Sequence, residues 1–280
     1  YARRLTRQDL IFAIQMFEQA IILDPDFALA HASIARACGL FYEWHEKDAT
    51  WLEKGLAACE RALALDPQLP EALTARAGIY VAQGKYDPAS QLARRAIERR
   101  PDCEGAYWTL GRAYFASDHF QEAADVAARA IEVSGDDYNV FVPYVMALER
   151  LGQRDVASGL RDQMTRVMER QIATVPDDVR ARILLAGNYA FVGDEVSAIR
   201  ELQKAVALRP NDANVLYNAA CTYGVLQRKS DALAMLKKAK EVGYRYFDWI
   251  ARDPDLACLH DDPEFEQLIK GGEQESTPSA

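Results

Sequence analysis

The sequence predicts an all-α fold: an array of stacked helix pairs, closed by capping helices at the C-terminal end. Two observations predict it, the composition and an internal repeat. The chain has 280 residues but only 15 glycines and 11 prolines, and it is rich in alanine, leucine, glutamate and arginine, as helical proteins are. A single core rarely serves more than about 250–300 residues, so this length fits an elongated array.

Four segments repeat one plan, in which a helix ends, a proline turn follows, and a second helix begins that is rich in small residues. They read AIILDPDFALAHASIARA, ALALDPQLPEALTARAGIY, AIERRPDCEGAYWTLGRAY and AVALRPNDANVLYNAACTY. Small residues let two helix axes approach closely, while the large residues beside them fill the remaining space. Each segment therefore predicts the junction between two packed helix pairs.

The turn positions recur at nearly constant intervals of 42, 34, 34, 41, 34 and 34 residues. They are Pro25, Pro67, Pro101, Gly135, Pro176, Pro210 and Tyr244. The two longer intervals exceed the others by 8 and 7 residues, close to two α-helical turns, and we place these insertions near residues 39–50 and 160–175. Insertions of this length can extend a helix while its apolar face keeps almost the same direction. Thr50 and Glu53 predict a capping box after the first insertion, and Pro143 predicts a shortened or kinked helix.

The pattern resembles the tetratricopeptide repeat (TPR) family, a 34-residue helix-turn-helix. The best match is the segment Tyr107-Trp108-Thr109-Leu110-Gly111-Arg112-Ala113-Tyr114, followed by Phe120, Ala123 and Ala130. Arg76 and Arg182 depart from the family pattern, because they occupy helix positions that are usually apolar. The resemblance implies a TPR solenoid, which is a right-handed α-α superhelix, that acts in protein–protein interaction.

Three regions follow from this reading. Residues 1–243 form the TPR array, with a partial first unit and about six further units; residues 244–270 form C-terminal capping helices, and residues 271–280 a flexible tail. Asp253-Pro254 and Asp262-Pro263 predict the starts of two capping helices. This closing segment is similar to those that end the TPR regions of bacterial signalling proteins, in which a kinase, nucleotide cyclase or DNA-binding domain lies upstream.

Composition and motifs argue against several functions. The net charge of -9 gives no global positive field for nucleic acid or an acidic membrane, and no apolar run of about 18 residues predicts a membrane span. The four histidines and five cysteines form no zinc motif. No phosphate-binding loop, dinucleotide fingerprint or nucleophile elbow occurs. We therefore expect no enzyme, no cofactor and no metal.

The widely spaced cysteines favour reduced thiols and a cytoplasmic location. The chain begins YARRL without an initiating methionine, so we expect a truncated N-terminus, and a targeting segment is left open. Cys221 is the one thiol for which catalysis is an alternative, although no histidine lies near it in sequence.

The resemblance also implies which side chains line the concave groove, because family positions on the first helix of each unit face it. The residues carried over as binding candidates are Arg36, Trp108, Arg112, Phe115, Asn139, Met146, Arg150, Arg180, Phe191, Asn214, Tyr217, Asn218 and Cys221. Arginine beside aromatic rings is typical of peptide anchoring. The alternative is that the aromatic rings pack against the neighbouring unit, and that the arginines pair with Glu149 or with carboxylates in the turns.

Function is predicted from the groove. We expect a non-enzymatic scaffold that binds a peptide or a partner helix, of acidic character given the arginines, and neither nucleic acid nor membrane; the oligomeric state is left open. The alternative is a regulatory or sensory region of a larger bacterial signalling protein that binds a small ligand. The aromatic insertion at residues 39–51 is a second candidate contact surface, with covering of the end of the stack as the favoured interpretation.

Overall fold

A computed structural model describes residues 6–245 and 247–276 of the chain. The predicted all-α class is confirmed, since every regular element in these two ranges is helical. The first helices of the successive pairs are α2 (Ala28–Trp44), α4 (Pro70–Ala82), α6 (Ala106–Ala116), α8 (Tyr138–Arg150), α10 (Val179–Phe191) and α12 (Ala213–Val225).

The second helices alternate with them along the chain. They are α1 (Arg7–Leu23), α3 (Ala49–Leu65), α5 (Tyr86–Arg99), α7 (Phe120–Ser134), α9 (Arg154–Thr174), α11 (Glu195–Leu208) and α13 (Lys229–Glu241). After α13 come α14 (Phe247–Ile250), a 3₁₀ helix (Pro254–Leu259) and α15 (Pro263–Ser276). In the four pairs α2–α3, α4–α5, α10–α11 and α12–α13 the two helices pack closely together.

The chain divides between Met164 and Thr165, inside α9, into two compact units. In the first unit α2, α4, α6 and α8 pack in series, each against the next. In the second unit α10 packs against α12, and α12 packs in turn against the 3₁₀ helix. The predicted array of residues 1–243 thus spans both units, and its boundary at residue 243 stays a prediction.

Aspartates in the turns start many of these helices. The side chains of Asp137, Asp178, Asp194 and Asp212 each accept a hydrogen bond from a backbone N–H in the first turn of the following helix, which satisfies donors that have no partner inside the helix. The capping box predicted at Thr50 and Glu53 is wrong. Asp48 caps α3 instead, because its carboxylate already accepts from the backbone N–H of Thr50 at 2.9 Å.

The helix α9, in which the second predicted insertion falls, has 21 residues. The first lengthens α2 and α3 to 17 residues each, against 13 in α4. Pro143 does not shorten α8, which also has 13 residues. Instead the proline ring lies where α6 and α8 approach: a Cβ added to Gly111 would come within 2.8 Å of Pro143 and of Tyr144. Only glycine fits at this contact.

The C-terminal region differs from the prediction at its end. The aspartates of both Asp-Pro pairs cap their helices, with Asp253 accepting from the N–H of Asp255 and Asp262 from that of Glu264. The predicted tail begins at residue 271, but the backbone stays helical to Ser276, because extending an established helix adds one hydrogen bond per residue. Residues 277–280 lie outside the described residues. None of the described helices has both the length and the apolar character needed to cross a bilayer.

Candidate functional site

Three successive first helices of the first unit line a narrow cleft, which we name the α2–α4–α6 cleft. It is bounded by Arg36 and Glu43 of α2, Thr74 and Gly78 of α4, and Trp108 and Arg112 of α6. Its cavity of about 30 Å³ has room for about one water molecule. The cleft brings together three of the predicted binding residues, Arg36, Trp108 and Arg112.

Arg112 lines this cleft and is held there by two contacts. Its guanidinium pairs with the carboxylate of Glu43, 69 residues earlier in the chain, and its Cζ lies 4.8 Å from the centre of the Trp108 ring. Arg36 pairs with Glu104 at 3.2 Å. Both arginines are half-buried and both already have carboxylate partners, although Glu149, the partner considered from the sequence, pairs with Arg161 instead.

Trp108 lies in the core and not on an open groove surface. Only 8% of it is exposed, and it packs in a cluster with Leu10, Ile34 and Phe41. The aromatic insertion packs into the same cluster, where the rings of Phe41 and Trp51 lie 4.1 Å apart. Apolar packing therefore explains much of this aromatic composition.

The remaining candidates of the first unit are dispersed along α6 and α8. Phe115 is half-buried and its ring lies 5.5 Å from that of Phe120, over which Arg150 also lies at 5.5 Å. Met146 is 40% exposed. The amide of Asn139 is buried and donates to Asp137 at 2.8 Å.

The candidates of the second unit fall into an exposed group and a covered group. Phe191 is 59% exposed, Asn214 is exposed and Arg180 is half-buried. Asn218 donates its amide hydrogen to the backbone oxygen of Asn214 at 2.7 Å. These side chains stay binding predictions.

Tyr217 and Cys221 form the covered group, because the C-terminal helices lie against them. The hydroxyl of Tyr217 donates to the carboxylate of Asp253 and accepts from the indole N–H of Trp249 at 2.6 Å. The Tyr217 ring stacks on that of Tyr244 at 4.6 Å. Cys221 donates its S–H to the same carboxylate oxygen of Asp253 at 3.5 Å. What lies against Cys221 is the protein's own capping segment.

The electrostatics of Cys221 oppose thiolate chemistry. Burial raises its pKa well above the ordinary value, and the negative charge of Asp253 raises it further. Nucleophilic cysteines need the thiolate and an electropositive setting. At neutral pH this sulfur therefore stays protonated and serves as a hydrogen-bond donor.

One group of three potential metal ligands occurs among the described residues, formed by Cys221, Asp253 and Asp255. Both carboxylate oxygens of Asp253 are already engaged, one by the N–H of Asp255 and the other by Tyr217 and Cys221. A cation would have to displace these hydrogen bonds, and the thiol would have to lose its proton against the raised pKa. The donor set fits a helix-capping node better than a metal site.

Sequence reasoning missed a buried ion pair in the second unit. Arg182 pairs with Glu201, and both side chains are less than 10% exposed; Arg182 also donates from Nε to the backbone oxygen of Pro176 at 2.8 Å. The signal was present, since Arg182 occupies a position that is usually apolar. Its partner was not predictable, because Glu201 resembles any other glutamate on a second helix.

Comparisons with known proteins agree with this architecture. Residues 52–114 match the family model described as tetratricopeptide repeat. The chain is 24% identical over 270 residues to the Protein CTR9 homolog of Arabidopsis thaliana, covering 92% of this chain and 23% of that protein. It is 23% identical over 180 residues to Anaphase-promoting complex subunit 3 of Schizosaccharomyces pombe, covering 64% of this chain and 26% of the relative.

A solved structure is similar over nearly the whole chain. It is a tetratricopeptide repeat protein from Parabacteroides merdae, with a TM-score of 0.51, 17% identity, and coverage of 95% of this chain and 93% of the other. The two relatives above are much longer, since this chain spans about a quarter of each. The family model at residues 52–114 and the structural similarity together identify the chain as one that carries tetratricopeptide repeats and has the fold of TPR proteins.

Proposed function

We propose that the chain is a non-enzymatic protein–protein interaction scaffold, which binds an acidic peptide or partner helix at the α2–α4–α6 cleft. The observation that carries this proposal is that two arginines, Arg36 of α2 and Arg112 of α6, line the same cleft as Gly78 of α4. Arginine and aromatic residues are enriched among the residues that dominate binding energy at interfaces.

An acidic ligand would bind by replacing one of the protein's own carboxylates at the two arginines with a carboxylate of the ligand. Glu43 and Glu104 neutralise the two arginines in the free protein, and a carboxylate of the partner takes the place of one of them. The number of ion pairs then stays the same, so the net gain in affinity comes from the apolar area that the ligand covers. The planar guanidinium suits this exchange, because it holds a carboxylate through two parallel hydrogen bonds.

Gly78 provides the space for the ligand backbone. A Cβ added at this position would meet no atom within 4 Å, although the residue lies in the interior of α4. Glycine in a helix interior costs about 0.5–1 kcal/mol relative to alanine, and packing inside this chain gives no reason for it. Close approach of a partner is the reason we propose.

The relatives support a scaffold in general terms. One of them is named as a subunit of the anaphase-promoting complex, and a protein with repeats of this kind uses its extended concave surface for binding. Acidic character and the choice of the α2–α4–α6 cleft come from the side chains of this chain alone.

A matched pair of glycine substitutions tests the proposal. Gly78→Gln fills the cleft, whereas Gly159→Gln adds the same side chain inside α9, where a Cβ also meets no atom within 4 Å. Peptides are first selected against the wild-type chain from a displayed random library. The affinity of a selected peptide is then measured by fluorescence anisotropy for the wild type and both variants.

We expect the selected peptides to be rich in aspartate and glutamate. Gly78→Gln should weaken binding at least tenfold, and Gly159→Gln should leave it unchanged. Circular dichroism should report folded helices in both variants, because glutamine has a higher helix propensity than glycine. Selection of basic or neutral peptides, or equal affinity of Gly78→Gln and wild type, would refute the cleft as the site.

The regulatory alternative is a second candidate, supported by the coverage of the relatives. An array of this size corresponds to about a quarter of two longer polypeptides, so it can serve as one region of a larger protein. The sequence that precedes Tyr1 in the gene tests this candidate. A kinase, cyclase or DNA-binding domain there would favour it.

A further inference from the structure

Helix α1 carries apolar side chains on two opposite sides. On one side, Leu10 and Ile14 pack against residues of α2. On the other side, Met16 is 52% exposed and Leu23 is 88% exposed. A helix that is apolar on both sides is ordinarily buried on both. We name this exposed side the outer face of α1. At 100° per residue it comprises Gln8, Asp9, Phe12, Gln15, Met16, Gln19, Ala20, Ile22 and Leu23.

The same positions of the other second helices are covered. Counted back from the turn positions, Ala20 corresponds to alanines of α3, α5, α7, α11 and α13 that have no exposed surface, whereas Ala20 itself is only half-buried. These are Ala62, Ala96, Ala130, Ala205 and Ala239. Met16 corresponds to six residues that are all buried or half-buried, namely Ala58, Leu92, Val126, Val167, Glu201 and Met235. The outer face of α1 therefore lacks a covering that its counterparts have.

Two first helices supply that covering in α3. Ala62 packs with Ala32 of α2, the first helix of its own pair, and with Ala72 of α4, the first helix of the next pair. Helix α1 packs on α2, which follows it, but within residues 6–245 and 247–276 no helix precedes it. Because the two helices of a hairpin run antiparallel, a helix antiparallel to α1 would complete the packing of the outer face.

The outer face is also poor in charge. Six residues before the turn position, each of the other six second helices has an arginine or lysine, whereas α1 has Gln19. These cations are Arg61, Arg95, Arg129, Arg170, Lys204 and Lys238. Asp9, at the N-terminal end, is the one charged residue of the outer face. Depletion of charge, with Met and Phe enriched, is typical of the buried centre of protein–protein interfaces.

Charges at the two ends of α1 are complementary to those of an antiparallel second copy. Arg7 is the first residue of α1 and its side chain is 63% exposed, and Asp26 lies just after the helix with its side chain 76% exposed. Their pairs with Glu46 and Arg61 lie on the surface, where ion pairs contribute little. In an antiparallel pair of α1 helices, Arg7 of each copy approaches Asp26 of the other. The uncharged Gln19, near the middle, meets the second copy without repulsion.

We propose that the outer faces of α1 in two copies of the chain pack antiparallel and form a two-fold symmetric dimer. An interface of this kind uses the same patch on both copies. Helix α1 has 17 residues and is therefore about 25 Å long. Phe27 and Leu29, at 40% and 39% exposure, extend the apolar surface beyond the end of α1.

Sedimentation equilibrium of the full chain over a range of concentrations tests the dimer. Met16→Glu should weaken the dimer at least about tenfold, because it buries a carboxylate without a partner in the interface. Gln19→Arg, which restores the cation of the other second helices, should also weaken it. The control is Val196→Glu, which adds the same charge at an apolar position of α11 that is 78% exposed, and it should leave the dimer unchanged. Circular dichroism checks that every variant is folded.

Cross-linking tests the orientation of the two helices. Gln8 and Leu23 lie near opposite ends of the outer face, and both are exposed. The variants Gln8→Cys and Leu23→Cys are mixed and treated with a short bis-maleimide, with the wild type as the control for the native cysteines. An antiparallel pair should give mainly the mixed product, in which one Gln8→Cys chain is joined to one Leu23→Cys chain.

Four outcomes would reject the proposal. A monomer at every concentration would exclude a second copy as the occupant of the outer face. A dimer that Met16→Glu leaves unchanged would lie on another surface. Equal weakening by Val196→Glu would attribute the effect to added negative charge in general. Cross-linking only between identical variants would indicate a parallel pair. Peptide binding at the α2–α4–α6 cleft does not enter these measurements.

Discussion

The hydroxyl of Tyr217 donates a hydrogen bond to the carboxylate of Asp253, 36 residues later in the chain. This contact joins α12 to the 3₁₀ helix of the capping segment. A Cβ added to Gly224, one residue before the end of α12, would lie 2.2 Å from the backbone oxygen of Asp255. The capping segment therefore lies directly on α12 and occupies the surface that we predicted as part of the groove.

Removal of the Asp253 side chain should destabilise the second unit. Asp253→Ala leaves the Tyr217 hydroxyl, the Cys221 thiol and the N–H of Asp255 without their acceptor, at a cost of about 1–3 kcal/mol. Chemical unfolding followed by circular dichroism measures the change. Asp261→Ala, at an exposed position of the same segment, is the control and should stay within about 0.5 kcal/mol of wild type. Equal losses of stability in both variants would contradict a stabilising role for the hydrogen bonds that Asp253 accepts.

Removing one member of the buried pair of Arg182 and Glu201 should lower the free energy of unfolding strongly, whereas replacing both members with apolar residues should lower it much less. Glu201→Gln leaves the guanidinium without its charge partner, which should cost about 3–5 kcal/mol. The double variant Arg182→Met, Glu201→Leu should recover most of this loss, because apolar side chains need no counter-charge. The control is Glu195→Gln, at an exposed pair with Arg228, with a cost below about 1 kcal/mol. A double variant no more stable than Glu201→Gln would contradict the argument.

The carboxylate of Glu201 should also make the stability of the protein depend on pH. Burial acts to raise the pKa of Glu201, but hydrogen bonds from Arg200 and Lys204 and the charges of Arg182 and Lys204 outweigh it and hold the pKa below its usual value. A lowered folded pKa gives stability above the unfolded pKa, near 4.3 for glutamate, that is lost as pH falls through the folded value. The difference in free energy of unfolding between wild type and Glu201→Gln should therefore shrink below about pH 4. A difference independent of pH would refute this ionic origin.

Two glycine-to-alanine substitutions in first helices should have opposite effects. At Gly111 the new methyl group would come within 2.8 Å of Pro143 and Tyr144, so Gly111→Ala should destabilise by about 1–3 kcal/mol through overpacking. At Gly78 the space is open, so Gly78→Ala should stabilise by about 0.4–1 kcal/mol. Thermal unfolding of both variants measures whether each substitution raises or lowers the stability. Stabilisation by both substitutions would mean that α6 and α8 do not approach closely at Gly111.

Cys221 should resist alkylation in the folded protein. Burial and Asp253 raise its pKa, and both its accessibility and its thiolate fraction are therefore low. Cys258 is partly exposed and should react with iodoacetamide faster. Peptide mapping by mass spectrometry after timed labelling compares the two sites, and labelling in denaturant confirms that both thiols can react. Equal native rates at the two cysteines would reopen thiol chemistry.

The fold was predictable from the sequence because its signals are local and repeated. Small residues at a 34-residue spacing, proline turns and aspartate caps each act within one or two helical turns, and many copies agree. The capping box predicted at Thr50 failed because Asp48 is the residue immediately before α3, and its carboxylate accepts from the backbone N–H of Thr50.

The partners of individual side chains were decided only by the tertiary structure. A helix position predicts which face a residue occupies, but Arg112 meets Glu43 and Tyr217 meets Asp253 because packing brings together segments that are 69 and 36 residues apart. Trp108 and Cys221 looked like groove residues by position, and the chain itself buries them. The sequence by itself determined the helix pairs and their repeat, because these depend on short-range periodicity. The surfaces that stay accessible, such as the α2–α4–α6 cleft, depend on which distant segment covers which helix face.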